Sequence, residues 1–175
     1  LTADHDSDSD HTWDTSKEVT IDLSNPTATD GVTVKDGVIT ITAAGAYRLS
    51  GTLADGQVVV DTEDSGSVYL ILDNASITNS DGSAIVIDKA DLALIVLADG
   101  TTNTVTDGST YAATGDDDPN AAIWSDPDLT ILGEGSLTVN GNYNDGINAS
   151  DGLVIASGTV TVTANAAANA RMAPA

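Results

Sequence analysis

Apolar residues along this chain recur in short alternating runs separated by turn-forming residues, a strand pattern from end to end. Val68, Leu70 and Leu72 share one side of a run, as do Leu92, Leu94 and Val96, then Leu129 and Ile131, then Leu153 and Ile155. No window carries a helical period. Five of the Asp-Gly pairs punctuate the runs at regular places, Asp30-Gly31, Asp55-Gly56, Asp81-Gly82, Asp107-Gly108 and Asp145-Gly146, at spacings of 25, 26, 26 and 38 residues. The last spacing also becomes 26 if the 12 residues 109–120 (STYAATGDDDPN) are an insertion.

Between these pairs the order is strand, acidic turn, strand, small polar corner, strand and an Asn/Asp-Gly exit. Three strands and three turns in roughly 25 residues make one rung of a coil. The pattern predicts an all-β fold, a right-handed single-stranded parallel β-helix, with rungs ~4.8 Å apart and like residues in columns. Its expected limits are an acidic cap or leader over 1–18, the β-helix over 19–163 with the acidic insertion at 109–120, and an atypical tail over 164–175. Trp13 is placed to close the first rung's core. The tail reads ANAAANARMAPA, where the rhythm calls for another rung.

Composition narrows what such a coil does. Phe and Cys are absent, so Val, Ile, Leu and Ala fill the core, and neither disulfides nor thiolate metal sites are available. The net charge of −22 argues against nucleic acid, whose phosphates need clustered Lys and Arg. No apolar run is long enough to insert in a membrane as a helix. Of the 27 acids only Glu18, Glu63 and Glu134 are Glu, so acid is spent in turns, where Asp is a short oxygen ligand.

Three groups of residues carry candidate chemistry. Asp116, Asp117, Asp118 and Asn120 in the insertion repel one another unless water or a hard cation intervenes, and calcium takes six to eight oxygens in such loops. Asn142, Asn144 and Asp145 lie at a corner expected to stack near the insertion's base and to share that ion, although turn chemistry alone also accounts for them. An acidic turn column runs through Asp61, Asp64, Asp88, Asp91, Asp126, Asp128 and Asp151. Asp126 and Asp128 are its candidate calcium ligands, with diffuse screening as the competing account. The alternating Asp4, Asp6, Asp8 and Asp10 lack the Gly and Glu of an EF-hand. Tyr111, Trp124 and Tyr143 are the candidate sugar-stacking rings.

The phrases GVITITAAGAYRLSGTLADGQVVVD, VYLILDNASITNSDGSAIVI, LADGTTNTVTDG and DPNAAIWSDPDLTILGEGSLTVNGNYNDGI, with the opening HTWD, resemble extracellular bacterial calcium-dependent carbohydrate-binding domains. The resemblance runs from about Asp10 to Thr163. It implies a right-handed β-helix, bound calcium at the insertion and the NYNDG corner, and affinity for acidic or plant-type polysaccharide. An enzyme is not expected. Arg48, Lys17, Lys35, Lys89 and Arg171 are scattered bases, and the Gly-His-Gly and Arg-x-Lys elements of a polygalacturonase are absent. The alternative is a structural subunit of an extracellular filament or biofilm matrix, with coils stacking end to end.

Overall fold

The computed structural model describes residues 11–165. Apart from short turns, including one 3-10 turn at Thr15–Lys17, the regular structure is β, in a nine-stranded and a six-stranded sheet. The larger sheet holds β1 (Val19–Asp22), β4 (Gly45–Leu53), β6 (Ser67–Thr78), β8 (Leu92–Leu97), β9 (Thr102–Thr106), β11 (Leu129–Gly133), β12 (Ser136–Gly141), β14 (Leu153–Ile155) and β15 (Thr159–Ala164). The smaller holds β2 (Val32–Lys35), β3 (Val38–Ile41), β5 (Gln57–Asp61), β7 (Ile85–Lys89), β10 (Ala121–Ser125) and β13 (Asp145–Ala149).

Nearly every strand pair is parallel, and each strand lies beside the strand one repeat further along the chain. Val58 stands beside Ile85, Ile85 beside Ile123, and Ile123 beside Ile147. A second column runs Leu70, Ile95, Ile131, Ile155, and a third Ile77, Val105, Val139, Val162. The step that carries 109–120 is longer than its neighbours in all three columns, so the insertion leaves the stacking intact. The long β6 serves two faces: Ser67–Leu72 pairs with β8, and Ser76–Thr78 with β9. It turns between them at Asn74, whose φ of 55° an asparagine tolerates better than most residues.

The columns face one dry core of aliphatic side chains. Several polar residues are buried as well, Asn103 among the deepest. Asn103 is fully buried, accepts the backbone N–H of Ala75 at 2.8 Å and donates to Thr101 Oγ1 and to the carbonyl of Ser136. It thereby satisfies backbone groups on the turns before and after its own.

Three expectations need correction. Leu92, Leu94 and Val96 do not face the core. Ala93, Ile95 and Leu97 do, because Val68 and Leu70 stand opposite Ala93 and Ile95. All six residues of β8 are buried, so alternation held no information about its inner face. The outward set joins Ala46, Tyr69 and Ile71 in a second apolar layer on the outside of the sheet. Trp13 packs on that outer layer, tilted at 37° against Tyr69, instead of closing the core. Finally, the strand pairing is not parallel throughout. β2 and β3 form an antiparallel hairpin at Asp36-Gly37, with φ values of 51° and 80° as a two-residue type I′ turn requires.

At the far end, the side chains that extend the core columns are open. Ile155 is 45% and Val162 39% exposed. Among the described residues the last strand ends at Ala164; residues 166–175 of the expected tail and the Asp4–Asp10 run with Leu1–Ala3 lie outside the described residues.

Candidate functional site

The insertion lies between β9 and β10 and is tied back at both ends. Ala112 donates its N–H to the carbonyl of Asp81 one turn earlier, and Asp145 donates its N–H to the carbonyl of Asn120. The strongest tie is through Asp107, which is 2% exposed. Its Oδ2 accepts the Tyr111 hydroxyl at 2.6 Å, and its Oδ1 accepts the backbone N–H of Asn142. The Asn142 side-chain amide donates to the Asp107 carbonyl at 2.9 Å. One buried acid thus joins the inserted loop to the corner of the next turn. Burial pushes its carboxyl above the ordinary value, against the pull of the donors around it. Burial, reinforced by the hydrogen bond to Asp107, likewise raises the Tyr111 hydroxyl far above its usual range.

Above this anchor the rings of Tyr111 and Tyr143 stack, centroids 4.2 Å apart and 19° from parallel. Beside Tyr143 lies a hollow of about 480 Å³ lined by Asp116, Asp118, Asn120 and Asn144. The loop's Asp116, Asp118 and Asn120 and the corner's Asn144 thus border one hollow. Asp118 Oδ2 accepts the N–H of Gly115, and Asn120 Oδ1 accepts from Asn148 Nδ2 at 3.0 Å, which hold both side chains in place. Asp117 is exposed and does not line the hollow. Asn142 is committed to Asp107, and Asp145 is buried on β13, where it accepts from Asn144 Nδ2.

Asp126 lies elsewhere, in a groove of about 450 Å³ along the acidic turns with Asp64, Asp88, Asp91 and Asp151. Lys89 borders that groove, 3.6 Å from Glu63 and 4.0 Å from Asp61. Asp128 points beneath Gly152, where a Cβ would come within 2.7 Å of its Oδ1. Among the described residues no group of three or more His, Asp or Glu side chains is arranged to hold a metal. The loop hollow instead mixes two carboxylates with two amides, a donor set that meets part of a hard cation's demand and leaves the rest to water or ligand oxygens.

Trp124 stands in register with Val86 and Asn148, while Ile123 of the same strand joins the core. It is half-buried on the outer face, so the three candidate rings form no continuous row. The sequence reading missed two residues. Asp107 was read only as turn punctuation, although an acid four residues before a tyrosine at an insertion's root was the available signal. Trp13 was assigned to the wrong surface.

Comparison with known proteins agrees with this architecture. Residues 35–171 match the family described as carbohydrate-binding domain-containing protein. A protein of that description from Acetivibrio thermocellus is 40% identical over 145 residues, which is 82% of this chain and 51% of the relative. A solved polysaccharide lyase-like protein from C. thermocellum, a gadolinium derivative, superposes with a TM-score of 0.77 at 40% identity, covering 84% of this chain and 61% of that one. The chain thus spans about half the length of the curated relative. No described helix is long and apolar enough to cross a membrane. By the extent of these matches, the chain belongs to the family of carbohydrate-binding domain-containing proteins.

Proposed function

We propose that this chain is a non-catalytic, calcium-dependent binder of acidic or plant-type polysaccharide, working outside a bacterial cell. One observation carries the reading: the inserted loop and the next corner line a single hollow that gathers Asp116, Asp118, Asn120 and Asn144 beside Tyr143. A cation held there offers its remaining coordination positions to sugar hydroxyls or carboxylates. That bridge answers the electrostatic objection, since a protein of net charge −22 otherwise repels an acidic chain. A 40% identical relative was solved as a gadolinium derivative, and gadolinium, like calcium, is a hard cation that seeks oxygen. The stacked faces suit a right-handed parallel β-helix, the hand that parallel crossovers take in nearly all sheets. A lyase needs a base, and Arg48 is a poor one: Glu18 and Asp73 hold its guanidinium, and the hydrogen bond to Glu18 raises its pKa.

The test is affinity electrophoresis against polygalacturonate, paired with terbium titration read through tyrosine-sensitised luminescence. Calcium-dependent retardation that chelator abolishes is expected. Full retardation in chelator refutes the cation bridge. The filament alternative draws on the exposed apolar side chains of Ile155 and Val162, which a second copy of the chain can cover. Sedimentation that stays monomeric at high concentration with calcium sinks it.

A further inference from the structure

We infer that the outer apolar layer carries a second carbohydrate subsite, beside Trp13, that takes neutral sugars without a cation. This rests on the carbohydrate-binding reading but not on calcium. Trp13 is fixed before any ligand arrives. Its ring lies 5.1 Å from that of Tyr69, and its indole N–H donates to Glu18 Oε1 at 2.8 Å. Glu18 is held in turn by Arg48 at 2.7 Å. A ring so immobilised pays little entropy when a sugar stacks against it.

Trp13 borders two hollows, of about 370 and 430 Å³. The larger is floored by the apolar side chains of Ile71 and Val96, and Arg48, Asp99 and Glu134 also line it. An aromatic wall and an aliphatic floor suit the C–H face of a pyranose, while charged groups at the edge suit its hydroxyls. Charge selects among sugars. Arg48 is already shared by Glu18 and Asp73, so a uronate entering the larger hollow meets Asp73, Asp99 and Glu134 around a cation that is already paired. The occupant is a neutral glycan.

Calorimetric titration of the full chain with cellohexaose and xylohexaose, in chelator, tests this. Binding of at least one is expected to persist in chelator. It should weaken at least about tenfold in Trp13→Ala, the usual scale for truncating an aromatic anchor. Asp99→Ala/Glu134→Ala, which leaves Trp13 and its supports in place, should weaken it about threefold or more. In Trp124→Phe, where Trp13 is the sole tryptophan, the ligand should shift the fluorescence. Absence of binding to both hexaoses in chelator overturns the inference, as does binding that neither variant weakens. If Trp13→Ala unfolds by circular dichroism, the rim variant and the fluorescence decide. Chelator-sensitive retardation by polygalacturonate is a separate readout, so its loss counts only against the loop site.

Discussion

The loop hollow and the acidic turn groove are both rich in aspartate, yet they are built differently. Around the hollow, Asp107 is buried and shared by two segments, two tyrosines stack, and neutral amides line the wall together with the carboxylates. In the turn groove, Asp64, Asp88, Asp91, Asp126 and Asp151 follow one another down the coil with a lysine at the side. The groove has charge and the hollow has architecture. Like charges in a solvated row are relieved by water and mobile ions. A ligand site needs its oxygens held by other bonds, so acid density alone does not mark one.

Substitutions can break that contrast, and Asp107→Ala should do the most. It leaves the Tyr111 hydroxyl and the Asn142 N–H without their acceptor, at a cost of about 2–4 kcal/mol in chemical denaturation. It should also lower terbium affinity more than tenfold as loop and corner separate, about 1.4 kcal/mol or more. Asp107→Asn, which keeps one acceptor oxygen and removes the buried charge, should recover much of the stability.

Next come Asp116→Asn and Asp118→Asn, each expected to weaken cation binding about tenfold with little change in melting temperature. Equal losses from Asp126→Asn or Asp151→Asn would erase the distinction between the two regions. Those two should instead change cation affinity less than about twofold and stability by less than about 0.5 kcal/mol.

The smallest effect is a pH dependence where Glu18 meets Arg48. The hydrogen bond from Arg48 holds the Glu18 carboxyl below its ordinary value of 4.5. Its contribution to stability is therefore full above that value and disappears as pH falls through the lowered one. Comparing melting temperatures of Glu18→Gln and the parent from pH 7 to pH 3 should show a gap that closes at the acid end. Asp107 runs the other way: its raised carboxyl costs stability at neutral pH, and the cost fades as pH falls through the raised value.

Much of this was legible in the chain. The repeat and the insertion at 109–120 were readable because parallel stacking demands equal rungs, and any surplus must leave at a corner. The meeting of Asp116, Asp118, Asn120 and Asn144 followed from the same arithmetic. The inner face of LALIVL did not, since every position of β8 is apolar and only its neighbours' register chooses between them. Trp13 was misplaced because a tryptophan near an end reads as a plug, and nothing local reveals an apolar outer surface. Asp107 hid in plain view: Asp-Gly is so common a turn that the one hint of its side chain's second task, a tyrosine four residues on, was passed over. The hairpin at Asp36-Gly37 fell outside the 25-residue rhythm for the same reason.

That hairpin gives the molecule a direction. β2 runs against β3 at one edge of the smaller sheet, whereas β13 at the other edge keeps the common polarity. Extra turns grafted beside β13 find a template in register, while the same turns grafted beside β2 meet a strand pointing the wrong way. In the smaller sheet, therefore, the two edges are not interchangeable as templates for an added parallel strand.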